Sequence, residues 1–135
     1  MSPRVRQTHT EARGWEHAVA QGVGRAVLAV RTERGMSIKD VSSACEATGH
    51  KMGRMVISNL EGGKRESVST AELLVLARAL DVSPLSLLLP PDAPTEVAPG
   101  IVLDAGEARA WFVGAEPPRT ITITVPAGAE VRMTS

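Results

Sequence analysis

The chain has few of the residues on which most catalytic and metal-binding sites depend. It contains one cysteine, Cys45, and three histidines among its 135 residues. A single cysteine excludes an intramolecular disulfide and a multi-cysteine zinc site, and His9, His17 and His50 lack the spacing of metal ligands. Cys45 falls on the apolar side of a predicted helix, so we interpret it as a small core residue rather than a reactive thiol.

The motifs of enzymes are also missing from the sequence. No glycine-rich segment has the form of a phosphate-binding loop, and no serine or cysteine belongs to a motif that places a base beside it. The acidic residues are scattered over predicted helix caps and outer faces. These absences predict a protein that is not an enzyme and that uses neither a cofactor nor a metal ion.

No apolar run approaches the roughly 20 residues of a membrane span, and nothing near the start has the apolar core of a signal peptide. The composition, with 43% apolar and 22% charged residues, is typical of ordinary soluble globular proteins. We therefore expect a cytoplasmic protein without a membrane partner.

The charge is divided unevenly along the chain, although the formal net charge is zero. Residues 1–90 hold 12 basic and 9 acidic residues, a net charge of +3, and residues 91–135 hold 3 basic and 6 acidic residues, a net charge of −3. A basic front half permits contact with nucleic acid but does not by itself demonstrate it.

The first predicted helix begins at Trp15 and ends at Arg34-Gly35. The chain before it, residues 1–14, is polar and lacks periodicity, which predicts a flexible N-terminal arm. Four valines of the helix recur at helical spacing and lie on one face: Val19, Val23, Val27 and Val30.

Four shorter helices are predicted after the first. Ser37-Ile-Lys-Asp40 and Ser69-Thr-Ala-Glu72 are capping boxes that begin the second and fourth helices. Gly49 ends the second helix, the third runs from about Gly53 to Glu61, and Ser83-Pro84 begins the fifth. The inward positions recur at helical spacing: Ile38, Val41, Cys45, Ile57, Leu60, Leu73, Leu76, Ala77 and Leu80.

The order of three segments resembles the Cro/repressor-type (XRE) helix-turn-helix family over roughly residues 20–89. They are Arg31-x-x-x-Gly-Met-Ser-Ile-x-x-Val, Ile57-Ser-Asn-Leu-Glu-Gly-Gly-Lys-Arg65 and Leu73-Leu-x-Leu-Ala-x-Ala-Leu-Asp-Val-Ser83. This order is more specific than any one motif. The resemblance implies a mainly α protein, with a five-helix Cro/repressor-like DNA-binding domain over residues 15–89.

Within that family the chain is similar to an actinobacterial subset with an extended turn before the recognition helix. Gly49-His50-Lys51-Met52 fits the form of that turn. The longer turn moves Lys51 and Met52 close to the DNA groove.

The resemblance implies that the third helix enters the major groove and that four of its residues contact bases: Arg54, Met55, Ser58 and Asn59. Their chemistry agrees, because arginine can bind guanine and asparagine can bind adenine through two hydrogen bonds each, and methionine can pack against a thymine methyl group. For Met55, a place in the protein core is the alternative, and for Arg54 the alternative is a solvated surface charge.

Five residues that flank or bound this helix are expected to contact the DNA backbone: Lys51, Gly53, Gly62, Lys64 and Arg65. The resemblance further implies that Arg31 and Glu61 form a structural ion pair that holds the first helix against the recognition helix. Two positions depart from the family. Ile38 replaces a phosphate-binding glutamine, and Asp81 replaces a glycine whose positive φ aspartate can adopt.

The remainder of the chain predicts a small β-rich appendage. Residues 90–100 carry four prolines and suit an extended linker. Residues 101–135 then contain the apolar run Ile101 to Leu103, a brief helix capped by Asp104-x-x-Glu107, and a hairpin with Thr120-Ile-Thr-Ile-Thr-Val125 as its first strand and Pro126-Ala-Gly-Ala129 as its turn. The exposed strand edges and Trp111-Phe112 favour dimerisation through the appendage.

These observations predict a sequence-specific DNA-binding transcriptional regulator, a repressor that binds a two-fold operator as a homodimer. The N-terminal arm, with Arg4, Arg6 and Arg13, is either a mobile terminus or a segment that lies along double-stranded DNA. Two alternatives stay open. One is an antitoxin of the same fold that holds its toxin with the appendage, and the other is a protein-interaction module.

Overall fold

The computed structural model describes residues 9–115, 120–124 and 130–134, with side-chain surroundings over residues 13–115. The described part of the chain is mainly helical, as predicted. Its elements are α1 (His9–Glu33), α2 (Ile38–Ala47), α3 (Arg54–Glu61), α4 (Thr70–Leu80), α5 (Pro84–Leu88), β1 (Thr95–Ala98), β2 (Ile101–Leu103), α6 (Ala105–Val113), β3 (Thr120–Thr124) and β4 (Glu130–Thr134).

One apolar core joins the first five helices, since α1 packs against α3, α4 and α5, and α2 packs against α3 and α4. Cys45 is fully buried in this core, as predicted, and burial raises the pKa of its thiol. The buried apolar side chains come from every helix of this bundle: Val23, Val27, Val41, Cys45, Ile57, Leu60, Leu73, Leu76, Leu80 and Leu87.

The start of α1 differs from the prediction. The helix begins at His9, so residues 9–14 are helical and do not belong to a flexible arm. The apolar periodicity that predicts the helix starts only at Trp15, whereas residues 9–14 are polar or small and give no such signal. The rest of the predicted arm, residues 1–8 with Arg4 and Arg6, lies outside the described residues.

The starts of the side-chain-capped helices were predictable because their signals are local. Ser37 accepts a hydrogen bond from the Asp40 N–H at 3.0 Å, and Asp40 accepts one from the Ser37 N–H at 2.9 Å. This backbone hydrogen bond, together with that from the serine hydroxyl, lowers the pKa of Asp40. Ser69 begins α4 in the same way, and at its end Asp81 adopts the left-handed conformation, with φ 59°.

The proline-rich segment contains a strand that the sequence did not predict. β1 pairs with β2 in an antiparallel hairpin, with Glu96 opposite Val102 and an irregularity between Glu96 and Ala98. Pro94 and Pro99 lie just outside the strand, where a missing N–H removes no ladder hydrogen bond. Residues 95–98 are therefore part of the appendage, and the segment 90–100 is not wholly a linker.

The appendage lies directly on the helical domain. The indole Nε1–H of Trp15 donates to the backbone carbonyl of Glu96 at 2.9 Å. This hydrogen bond joins the N-terminal part of α1 to β1. The predicted brief helix is present as α6, with Asp104 and Glu107 as its capping box, and it contacts both strands of the hairpin.

The hairpin predicted from Thr120 onward is also present. β3 and β4 are antiparallel, and their register pairs Ile121 with Met133 and Ile123 with Val131. The predicted turn at Pro126 to Ala129 lies outside the described residues. None of the described helices is long and apolar enough to cross a membrane, and the described residues contain no cluster of ligand side chains arranged for a metal ion.

Candidate nucleic-acid interface

The short helix α3 has one buried face and one exposed face. Ile57 and Leu60 are fully buried in the core. On the opposite side Arg54 and Ser58 are exposed, and Met55 is 71% exposed, which excludes the alternative place for Met55 in the core. Asn59 lies at the boundary between the two faces and is half-buried.

The N-terminus of α3 differs from those of its neighbours. α2, α4, α5 and α6 each begin with a serine or aspartate side chain that accepts a hydrogen bond from the first turn. α3 begins at Gly53, which offers no side-chain cap. The first-turn N–H groups of α3 therefore lack a side-chain acceptor at the cap, and such groups at a helix N-terminus attract anions such as phosphate.

The extended turn before α3 is fixed by its last residue. Met52 is only 2% exposed and belongs to the core cluster, and its carbonyl accepts a hydrogen bond from the hydroxyl of Ser42 at 2.7 Å. The side chain of Met52 is therefore not available for contact with DNA. The turn instead holds Lys51 on the surface, directly before Met52 fixes the chain against α2.

The ion pair implied between α1 and α3 is present in the structure. Arg31 donates from Nε and Nη2 to the two carboxylate oxygens of Glu61, at 2.6 and 2.9 Å. The exposed fractions of the two side chains are 18% and 7%, so the pair is largely shielded from solvent. Arg31 also donates to the carbonyl of Met36 at 3.2 Å. Bidentate geometry of this kind fixes orientation as well as distance.

A second contact between α1 and α3 had no signal in the resemblance. Gly24 is buried in the middle of α1, and a Cβ atom at that position would lie 2.0 Å from the carbonyl oxygen of Leu60. A glycine is therefore required for the two backbones to approach so closely. The Gly22-Val-Gly24 sequence inside a helical pattern was the signal that could have revealed this contact.

The end of α3 is closed by its own backbone. The N–H groups of Gly62 and Lys64 donate to the carbonyls of Ser58 and Asn59, both at 2.9 Å. The Gly62 amide is thus occupied, which removes the expected backbone contact of this amide with a phosphate. The side chain of Gln21 packs over Gly63. Lys64 remains exposed beyond the helix end.

Arg65 does not extend toward the solvent beside Lys64. Its Nη2 donates to both carboxylate oxygens of Glu72, at 2.9 and 3.0 Å, and its carbonyl accepts from the Nδ1–H of His17 at 2.9 Å. Arg65 therefore has a structural role, in which it joins the loop after α3 to both α4 and α1, and this pairing leaves its guanidinium less available to a DNA phosphate. The sequence could not reveal this role, because an arginine in a loop and a glutamate in a capping box give no sign of whether they pair with each other.

This arrangement changes the ionisation of Glu72. Burial acts to raise the pKa of the carboxyl group, but hydrogen bonds from the Ser69 N–H and the Arg65 guanidinium outweigh that effect, so the pKa of Glu72 is lowered. Glu72 is therefore both the reciprocal member of the α4 capping box and the partner of Arg65.

Comparison of the sequence with known protein families and with curated proteins finds no match. Several solved structures are similar in part, two of them as follows. The restriction-modification controller protein C.AhdI from Aeromonas hydrophila is 28% identical, and the match covers 52% of this chain and 97% of that chain with a TM-score of 0.45. A hypothetical transcription factor, NHTF from Neisseria, is 22% identical over 54% of this chain and 77% of its own, with a TM-score of 0.47. Both scores lie below 0.5, so the assignment of the fold depends on the contacts described above.

Proposed function

We propose that this protein is a sequence-specific DNA-binding transcriptional regulator that inserts α3 into the major groove. The observation that carries the proposal is the division of α3 into a fully buried face and an exposed face with Arg54, Met55 and Ser58. A helix of this kind fits the major groove, which is about 12 Å wide. The Arg31–Glu61 pair and the Gly24–Leu60 contact hold it at a fixed angle to α1.

The exposed side chains of α3 differ in what they can read. Arg54, in the first turn, is suited to two hydrogen bonds with guanine O6 and N7, and Met55 to contact with a thymine methyl group. Ser58 follows Arg54 by one turn and can accept or donate at a base edge. Asn59 is half-buried and therefore has a shorter reach, although adenine is the base that its amide would select.

Phosphate contacts in this proposal come from both ends of α3. Lys51 lies before the helix and Lys64 after it, and both are exposed. The uncapped N-terminus at Gly53 provides a third contact through backbone N–H groups. Arg65 is excluded from this set because its guanidinium is held by Glu72. Contacts of this type set the register of the protein on DNA and do not read sequence.

We further propose that the regulator acts as a homodimer on a two-fold operator and represses transcription by excluding polymerase. The appendage supports self-association because it exposes a group of large apolar side chains, here called the apolar patch: Ile101, Val102, Trp111, Phe112 and Val113. Two copies related by a two-fold axis would place their α3 helices about 34–36 Å apart, one helical turn of DNA.

A binding experiment with genomic DNA tests this function. Genomic fragments of about 200 base pairs are incubated with the protein at ~150 mM salt, where non-specific binding is weak, and bound fragments are sequenced. The proposal predicts recovery of a small set of fragments that share a two-fold sequence. Uniform recovery of all fragments, or of none, contradicts it, and circular dichroism on the same sample verifies that the protein is folded.

The apolar patch also favours a second candidate, in which the appendage binds a different protein. An antitoxin of this fold would hold its toxin there and bind DNA with α3, and an interaction module would bind the partner alone. The two candidates differ in the genomic experiment, because an interaction module recovers no specific fragment. A toxin gene beside the gene for this protein would indicate the antitoxin.

A further inference from the structure

A groove lies between the first turns of α1 and the appendage, on a different face of α1 from the one that contacts α3. Its apolar walls are contributed by Trp15 and Val19 of α1, Leu88 of α5, Val97 of β1 and Phe112 of α6. The groove has a volume of about 390 Å³, within the range of about 300–1,000 Å³ found for small-molecule sites. A smaller groove of about 210 Å³ adjoins it and shares Gly22 and Arg25 with it.

The floor of the groove contains a glycine that helix packing does not require. A Cβ atom at Gly22 would meet nothing closer than the Nη2 atom of Arg25, at 3.8 Å. This is the opposite of Gly24, where a Cβ would lie 2.0 Å from a backbone oxygen. A glycine inside a helix costs about 1 kcal/mol relative to alanine. Gly22 therefore leaves space in the groove at a cost in helix stability that no contact explains.

A single cation lies at this point of the groove. The guanidinium of Arg25 is next to Gly22 and borders both grooves, and none of the described carboxylates forms an ion pair with it. Glu96 is the other charged residue along the larger groove, but its carboxylate accepts a hydrogen bond from the Gly100 N–H at 2.8 Å. The Glu96 carboxylate keeps its negative charge but is anchored to the hairpin turn, and Arg25 is the charged group of the groove that has no partner among the described residues.

The groove also borders a polar group without a partner. Thr95 lines the groove, and its hydroxyl oxygen is buried with no hydrogen-bond partner among the described residues. A buried hydroxyl in this state costs free energy until a partner is supplied. The oxygen has almost no accessible surface, so a ligand in the groove pairs with it only if the side chain of Thr95 shifts.

We propose that this groove is a binding site for a small monocarboxylate with an aromatic or other apolar body. The carboxylate pairs with Arg25, for which two parallel hydrogen bonds are the favoured geometry. The apolar body lies over Gly22 between Trp15 and Phe112, whose rings favour an aromatic neighbour. The site is formed jointly by α1 and the appendage, so an occupant would strengthen the contact now made by the Trp15–Glu96 hydrogen bond.

Titration with 4-phenylbutyrate tests the site, with 4-phenylbutanamide as the neutral probe of the same shape. The Trp111→Phe variant leaves Trp15 as the one tryptophan, because the chain has two, so the emission of Trp15 reports the groove. We expect a saturable change with the acid and at least about ten-fold weaker binding of the amide. The acid should also raise the melting temperature of the protein in proportion to its occupancy.

Two variants and one control make the result specific. Arg25→Gln should weaken binding of the acid about ten-fold, to the level of the amide, and leave the amide unchanged. Gly22→Leu should abolish binding of both probes, and it should keep the fold because a Cβ atom there meets nothing closer than 3.8 Å. Arg78→Gln, which removes an exposed arginine on α4, should bind as the parent does.

Three outcomes overturn the proposal. These are equal affinity for the acid and the amide, an Arg25→Gln variant that binds the acid as the parent does, and no saturable change below about 10 mM of either probe. The titrations contain no DNA, so they do not depend on the proposed role of α3. A protein that reads DNA but binds neither probe would retain the proposed function and lose this site.

Discussion

A Cβ atom on Gly24 would lie 2.0 Å from the backbone carbonyl oxygen of Leu60, at the end of α3. The group that such a Cβ would meet is backbone and not a flexible side chain, so it could be accommodated only if α1 and α3 moved apart. The position of the candidate reading helix is therefore determined partly by the absence of a side chain on α1. The Arg31–Glu61 pair acts on the same two helices, about two turns further along α1.

Gly24→Ala should destabilise the protein by about 1–3 kcal/mol, because overpacking against a backbone group outweighs the roughly 1 kcal/mol that alanine adds in helix propensity. The free energy of unfolding, measured by chemical denaturation, checks the value. Gly22→Ala is the matched control, since nothing lies within 3.8 Å of its Cβ position, and it should stabilise the protein by about 0.5–1 kcal/mol. Equal effects of the two substitutions would show that the close approach does not constrain α3.

The Arg31–Glu61 pair should behave as a coupled unit. Arg31→Met or Glu61→Met alone leaves a largely shielded charge without its partner and should cost about 2 kcal/mol, whereas the double variant should cost less than the sum of the two by at least about 1 kcal/mol. A double-mutant cycle on the free energy of unfolding measures this difference. Additive effects would mean that the two side chains stabilise the fold independently of each other.

The sequence predicted those parts of the fold whose causes are local. The capping boxes at Ser37, Ser69 and Asp104 were all found in the structure, because each is a hydrogen-bonded exchange between residues three apart. Asp81 adopts the positive φ that the resemblance implied. The buried faces of α3 and α4 followed from helical spacing alone.

The parts that could not be predicted depend on contacts between distant residues. Nothing near Trp15 indicates that its indole reaches Glu96, which is 81 residues away. Glu72 looks like an ordinary cap residue, and only the fold brings it to Arg65. β1 was missed because the proline content of its surroundings predicts an extended linker, whereas the prolines only border the strand.

Substitutions at Arg54 and Lys64 should separate base reading from phosphate contact. Arg54→Ala should weaken binding to the operator by about 1–3 kcal/mol and relax the preference at one base pair, because a bidentate contact discriminates by that amount. Lys64→Ala should weaken binding to all duplexes alike and reduce the slope of log affinity against log salt by about 1. Fluorescence anisotropy with operator and scrambled duplexes at several salt concentrations measures both effects. If both variants bind the two duplexes as the parent does, α3 is not the reading helix.

The Arg65–Glu72 contact should make stability depend on pH in the acid range. Hydrogen bonds from Ser69 and Arg65 lower the pKa of Glu72 in the folded protein, so the stabilisation is fully present above the unfolded-state pKa of about 4.3 and is lost as the pH falls through the lower folded-state value. Glu72→Gln should therefore cost about 1 kcal/mol at pH 7 and almost nothing at the lowest pH at which the protein stays folded. The free energies of unfolding of the parent and of Glu72→Gln, measured by denaturation at several pH values between about 2.5 and 7, test this pH dependence. Glu66→Gln, at an exposed site, is the control. If Glu72→Gln loses the same stability at pH 7 and at the acid end of the range, the lowered pKa of Glu72 does not contribute to stability.

The apolar patch should determine whether the protein self-associates. Val102 and Trp111 are each 60% exposed, so Val102→Ser and Trp111→Ser should leave the fold intact but remove apolar area from a dimer contact, shifting the protein toward monomer at micromolar concentration. Sedimentation equilibrium measures the change as a rise in the dissociation constant of about ten-fold or more. Leu74→Ser is the matched control, because Leu74 on α4 is 52% exposed and lies outside the patch. A control variant that dissociates like the patch variants would place the contact elsewhere, and a parent that is monomeric throughout would leave the patch to a different protein partner.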